Sequence, residues 1–156
     1  MSDLSDRLAT AVVRMRGHRS RWVRTSVGRI HLLDVRGRGE LPPVVILHGF
    51  SAAGAHYFPL IFRLERHVTR IIAPDLPAHG LSEIRRDLAG STIRDGLFAA
   101  LDHVIDRPAV VVGNSMGGLA AVHYARSRPD RVRGLVLISR AGATSTSDEV
   151  ETIRSV

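Results

Sequence analysis

The sequence predicts an α/β fold in which helices flank a mostly parallel sheet, and three observations support this prediction. Four continuous apolar runs have the composition of strands that are buried on both faces: residues 44–50, 70–76, 109–115 and 134–140. The stretches between them show helical spacing of apolar residues: 55–67, 91–107 and 116–128. Strand and helix therefore alternate along the chain, which is typical of parallel strands joined by right-handed crossovers.

The residues before the first apolar run are predicted to form a helix and a hairpin. A stripe of apolar residues at helical spacing predicts an amphipathic N-terminal helix: Leu4, Leu8, Val12 and Met15. We expect this helix to dock through its stripe on the rest of the domain. A membrane surface is less favoured as its partner, because the stripe is narrow and lacks an aromatic residue. From Trp22 to Val35, apolar and polar residues alternate around Gly28, which predicts a β-hairpin.

The composition excludes several classes of function. The 156 residues are enough for one domain with its own core, and no apolar run is long enough to span a bilayer. The net charge of +7 comes from 22 arginines with no lysine, which excludes a Walker A loop and Schiff-base chemistry. Because these arginines are scattered instead of clustered, nucleic acid is not an expected partner. The lack of cysteine and of an export signal predicts a cytoplasmic protein.

The strongest functional motif is Gly113-Asn114-Ser115-Met116-Gly117, a G-x-S-x-G that follows a predicted strand and precedes a predicted helix. A serine on so tight a turn takes a strained backbone conformation, and the positions two residues away must be small for the chain segments to approach each other. The N-terminus of the following helix would face an oxyanion formed at that serine. The alternative, a glycine-rich turn with an incidental serine, is disfavoured by the strand–turn–helix context. A dinucleotide-binding loop would need glycine in place of Ser115.

A second loop predicts the remaining part of an oxyanion site. In "LHGFSAAG", residues 47–54, the pair His48-Gly49 allows a sharp turn after a buried strand. Such a turn would expose the N–H of Phe50 beside the N–H of Met116, so that two backbone donors face one oxygen. We interpret His48 as structural rather than catalytic, because it lies at the strand end on the donor side of the site.

Three motifs in this order, "VVILHGF", "APDLPAHGLS" and "VVVGNSMGG", resemble those of the α/β-hydrolase fold superfamily, and the likeness covers about residues 22 to 140. The resemblance implies that Ser115 is the nucleophile. It also implies that the N–H groups of Phe50 and Met116 form the oxyanion hole. The residues around them then have structural roles: His48, Gly49, Gly113, Gly117 and Gly118.

The same resemblance bears on the "DLPAHGLS" turn at 75–82 and on the substrate. In the family this turn is structural, so Asp75 and His79 are not candidates for the catalytic triad. Ala78 stands where the family more often has glycine. The implied function is hydrolysis of a small-molecule ester, thioester or related acyl compound, without a metal or cofactor.

The activating residues of the family's triad are not found in this sequence. The resemblance implies the order serine, acid, histidine, with the acid and the histidine usually following later strands. The region after the sixth strand has Arg140 and no carboxylate, and Asp148 and Glu149 lie where family members begin a helical cap. Only His123 follows Ser115, and it falls two turns into the helix. The earlier histidines on the hairpin, helices and N-terminal segment are expected to be solvated or interfacial: His18, His31, His56, His67 and His103.

We therefore interpret the chain as the N-terminal part of a longer hydrolase. Its predicted organisation is an N-terminal helical segment at 1–20, a core at 21–142 and the start of a cap or following helix at 143–156, with Ser147 as a plausible N-cap. Two alternatives stay open. "GNSMGG" also resembles the serine turn of hydrolases that cleave carbon–carbon bonds. The chain could instead be a catalytically silent remnant or interaction module that pairs with a partner or with itself through the apolar edge at 134–140.

Overall fold

The computed structural model describes residues 4–83 and 89–139, and in them a six-stranded sheet is flanked by four helices. The strands are β1 Arg19–Thr25, β2 Gly28–Arg36, β3 Val44–Leu47, β4 Arg70–Pro74, β5 Ala109–Asn114 and β6 Val132–Ile138. The helices are α1 Leu4–Met15, α2 Phe58–Leu64, α3 Gly90–Val104 and α4 Met116–Ser127. The predicted α/β class is confirmed, whereas the predicted helix at 143–156 lies outside the described residues.

The sheet has the strand order β1-β2-β4-β3-β5-β6. Strands β4, β3, β5 and β6 run parallel, and β2 pairs antiparallel with both β1 and β4. The β1–β2 hairpin pairs Thr25 with Gly28, as the alternation around Gly28 predicts. Because β3, β4 and β5 are parallel, their carboxyl ends lie at one edge of the sheet. The loops at 48–54 and 75–82 and the turn at Ser115 all begin at this edge.

Alternate residues of the parallel strands pack into two hydrophobic cores, one on each face of the sheet. In β3, Val45 and Leu47 belong to the core under α3 and α4, whereas Val44 and Ile46 belong to the core under α1 and α2. All four side chains are at most 6% exposed. This burial on both faces is the reason why the strand is continuously apolar.

Helix α1 is present where it is predicted, but the prediction of its docking face is wrong. The apolar stripe is exposed by 40 to 87%: Leu4, Leu8, Val12 and Met15. The helix docks instead through Asp6, Thr10 and Val13, which are buried. The Asp6 carboxylate pairs with His56 at 3.0 Å, and Val13 packs in the core under α2. Partners elsewhere in the chain thus set the rotation of the helix, and apolar spacing along the helix does not reveal them.

Strand β6 is the edge strand on its side of the described sheet and pairs with β5. Val136 and Ile138 on this strand are 46% and 43% exposed. Residues 134–138 contain no charged residue and no proline to discourage pairing with another strand. Among the described helices, none has the length and apolar character needed to cross a membrane.

Candidate active site

Ser115 lies in the turn between β5 and α4, after the last strand residue Asn114 and before the first helical residue Met116. Its φ of 51° and ψ of −116° lie outside the regions that residues with side chains favour, as predicted for this turn. Its N–H donates to the carbonyl of Ile138 at 2.9 Å, and its carbonyl accepts the N–H of Gly118 at 2.9 Å. Hydrogen bonds to β6 and α4 therefore hold the strained residue in place.

Close backbone packing explains the glycines on either side of Ser115. A Cβ added at Gly113 would lie 2.5 Å from the carbonyl oxygen of Gly117 and 2.6 Å from the Cα of Gly118. A Cβ added at Gly117 would overlap the backbone at the end of β3, including the carbonyl oxygen of His48 at 2.5 Å. Because these contacts are with backbone atoms, α4 can approach the sheet this closely only where side chains are missing.

The loop after β3 lies directly beside the serine turn. A Cβ added at Gly49 would be 3.3 Å from the Cβ of Ser115. Phe50 follows and is 76% exposed, with its ring 5.7 Å from the ring of His79. Within the described part of the chain, no acceptor takes the N–H of Phe50 or the N–H of Met116 at the start of α4. Two free backbone donors thus adjoin the serine, one on the residue after it and one on the residue after Gly49.

His48 is fully buried, and both of its ring nitrogens are occupied. Nε2 accepts the N–H of Leu76 at 2.8 Å, and Nδ1 lies 2.7 Å from the carbonyl oxygen of Gly49. Because Nε2 accepts, the ring is neutral and Nδ1 carries the proton that it donates. Burial lowers the pKa of His48, in agreement with the neutral form. The ring therefore joins the loop after β3 to the loop after β4, with no nitrogen left for catalysis.

Asp75 ties the same two loops together. Its carboxylate accepts the N–H of Gly54 at 2.7 Å and of Leu81 at 2.8 Å, and it lies 2.8 Å from Nδ1 of His31. Burial alone would raise the pKa of Asp75. The hydrogen bond and charge of His31, together with the two N–H groups, outweigh burial and hold that pKa below its usual value. Asp75 is therefore an ionised anchor for the 75–82 turn.

The prediction that His31 is solvated or interfacial is wrong, because the residue is 0% exposed. The hydroxyl of Ser20 lies 2.6 Å from its Nε2, and the ring of Trp22 lies 5.1 Å away. Hydrogen bonds thus join Ser20, His31 and Asp75, which are the residue types found in a catalytic triad. These bonds connect the β1–β2 hairpin to the 75–82 turn. No local sequence signal could have revealed this connection, because Asp75 is 44 positions from His31.

No histidine within residues 4–83 and 89–139 hydrogen-bonds to the hydroxyl of Ser115. His123 is exposed on α4, and Nδ1 of His79 lies 3.0 Å from the carbonyl oxygen of Pro77. This part of the chain also brings together no group of three residues that could hold a metal ion. Three residues considered for the triad acid or its position lie outside the described residues: Arg140, Asp148 and Glu149.

Comparison with known proteins gives one consistent family. A family model described as the alpha/beta hydrolase fold matches residues 42–155. The chain is 38% identical over 119 residues to lipase LipV of Mycobacterium tuberculosis, which is 74% of this chain and 44% of the lipase. It is 39% identical over 113 residues to a pimeloyl-[acyl-carrier protein] methyl ester esterase of Xanthomonas oryzae, which is 69% of this chain and 39% of the esterase.

Solved structures agree with the sequence relatives. An alpha/beta hydrolase from Novosphingobium aromaticivorans matches with a TM-score of 0.68 at 26% identity, covering 77% of this chain and 43% of that one. The chain spans less than half the length of the two curated relatives named above. The family match nevertheless includes both loops, the serine turn and all four parallel strands. The chain therefore belongs to the alpha/beta hydrolase fold family.

Proposed function

We propose that this protein is a serine hydrolase that cleaves esters, thioesters or related acyl compounds of small molecules. The observation that carries the proposal is the conformation of Ser115, which has a positive φ at the N-terminus of α4 and lies beside two backbone N–H groups that no described residue accepts. Strain of this kind persists only where the surroundings impose it, and it concentrates at functional sites. The two curated relatives, a lipase and a methyl ester esterase, favour the same class of substrate.

In the proposed reaction, Ser115 Oγ attacks the carbonyl carbon of the substrate, and the carbonyl oxygen becomes an oxyanion. The N–H groups of Phe50 and Met116 donate to this oxygen, and the N-terminal dipole of α4 favours its negative charge. Collapse of the intermediate breaks the bond to the alcohol or thiol, which leaves with the serine proton. Water then attacks the acyl-enzyme and releases the acid.

The reaction also needs a base that takes the proton of Ser115. All eight histidines of the sequence lie in the described residues, and none hydrogen-bonds to Ser115. We therefore propose that the base and its partner acid are not among these 156 residues. In the same proposal, 1–20 is an N-terminal helical segment and 21–142 is the N-terminal part of the hydrolase core. Residues 143–156 then begin a cap or a following helix.

The open edge of β6 supports a second candidate, a module that pairs with a partner or with a second copy through residues 134–140. The observation that favours it is the exposure of Val136 and Ile138 on an edge strand. In this case Ser115 would not react with acyl compounds.

Chemical rescue separates the two candidates. The purified chain is incubated with p-nitrophenyl butyrate, with and without imidazole as an external base, and the modified residue is located by peptide mass spectrometry. We expect little turnover without imidazole, roughly a thousandfold or more below an intact serine hydrolase. With imidazole, we expect one butyryl group on Ser115.

Two variants control the rescue experiment. Ser115→Ala should abolish the imidazole-dependent acylation. Ser51→Ala should leave the acylation intact. Ser51 is the matched control because it is a nearby serine that also has a positive φ, of 55°. Acylation that is unchanged in Ser115→Ala, or that maps to other residues, would overturn the proposed nucleophile.

A further inference from the structure

A cavity of about 370 Å³ opens beside the serine turn, between the N-terminal halves of α3 and α4. Met116, the residue after Ser115, forms part of its wall. The described residues that line it come from both helices and from the loop after β4: Leu76, Gly90, Ile93, Arg94, Leu97, Met116, Leu119, Ala120 and His123.

The lining of the cavity changes from buried and apolar to exposed, with Arg94 among the exposed residues. Leu76 and Leu97 are at most 1% exposed and are the most buried residues of the lining. Three partly buried apolar residues continue the wall towards the surface: Ile93, Met116 and Ala120. The exposed residues are Gly90, Arg94, Leu119 and His123. An anionic or strongly polar group would therefore lose its hydration in the buried part without gaining a partner there.

We propose that this cavity binds the aliphatic acyl chain of the substrate while the carbonyl group reacts at Ser115. The inference rests on the proposed function, because the acyl chain belongs to the substrate of that reaction. Met116 connects the two parts of the site: its N–H belongs to the proposed oxyanion hole, and the residue lines the cavity. The buried and partly buried walls are aliphatic and, among the described lining residues, include no Phe, Tyr or Trp, which favours an alkyl chain over an aromatic acyl group. The volume is at the low end for ligand pockets, as suits one short to medium chain.

The side chain of Met116 provides a reporter for this cavity. The chain has three methionines, and Met15 is 87% exposed on α1, so its methyl group is an internal reference. The chain is labelled with methyl-¹³C methionine and titrated with octanoate or acetate, which share a carboxylate and differ in the alkyl chain. We expect octanoate to shift the Met116 signal in a saturable manner, whereas acetate does not and Met15 does not respond to either.

A substitution at the exposed end of the cavity tests its role in binding. A Cβ added at Gly90 meets no described atom within 4 Å, so Gly90→Leu extends into open space without a clash. Displacing about two methylene groups of the ligand corresponds to roughly tenfold weaker octanoate binding. Gly134→Leu is the matched control, because a Cβ at Gly134 on β6 also meets open space and Gly134 does not line the cavity.

The binding experiment is independent of the chemistry at Ser115. A failure of acylation at Ser115 together with saturable octanoate binding at Met116 would count against the proposed function alone. The acyl-chain inference is overturned if octanoate and acetate give the same response at Met116. It is equally overturned if folded Gly90→Leu binds octanoate as tightly as Gly134→Leu.

Discussion

Replacing Ser115 with glycine is expected to stabilise the folded chain. The residue has a φ of 51° and a ψ of −116°, a conformation that costs a residue with a Cβ about 1–3 kcal/mol. Glycine removes this cost, but it also gives the unfolded chain more conformational freedom, which costs about 0.5–1 kcal/mol. The expected net gain is about 1–2 kcal/mol. For a chain of this size that gain raises the Tm by roughly 2–8 °C.

The assay is urea and thermal unfolding of the unmodified chain, Ser115→Gly and Ser115→Ala. Alanine removes the hydroxyl but keeps the Cβ, so Ser115→Ala retains the backbone strain. The difference in unfolding free energy between the two variants therefore reports the backbone strain without the effect of losing the hydroxyl. At an unstrained position, glycine would be less stable than alanine. If Ser115→Gly proves no more stable than Ser115→Ala, the turn is not strained and the main structural support for the nucleophile is lost.

Three further predictions concern the packing, the titration and the edge of the sheet. Gly117→Ala should lower the free energy of unfolding in urea by about 3 kcal/mol or more, because the added Cβ meets backbone at the end of β3. Gly90→Ala should cause no such loss, because its Cβ lies in open space. Asp75 has a lowered pKa in the folded chain. Its contribution to the free energy of unfolding is therefore complete above the unfolded pKa of about 4 and is lost as the pH falls through the folded pKa. Asp75→Asn should therefore cost about 2 kcal/mol at pH 7 and flatten the fall in unfolding free energy as the pH drops below about 4, whereas exposed Asp95→Asn should not lower the unfolding free energy at pH 7. The chain should associate in sedimentation experiments and Val136→Lys should reduce the association; a monodisperse unmodified chain with a cooperative melt would contradict this prediction.

The serine turn could be predicted from the sequence because its requirements are local. The two glycines and the serine fall within five residues, and the flanking strand and helix follow from apolar spacing. The same holds for the strands, since burial on both faces leaves a continuous apolar run. The face on which α1 docks could not be predicted in this way, because it depends on the pairing of Asp6 with His56, 50 positions later by their numbers. The burial of His31 likewise depends on Asp75, which is far away in sequence.

The contact between Trp22 and His31 gives the molecule an optical reporter of its own. Trp22 is the single tryptophan of the chain, and its indole lies 5.1 Å from the imidazole that Asp75 holds. Its fluorescence emission therefore reports on the junction between the hairpin and the 75–82 turn without an added label. The same signal follows the unfolding of Ser115 and Gly117 variants, none of which alters the fluorophore.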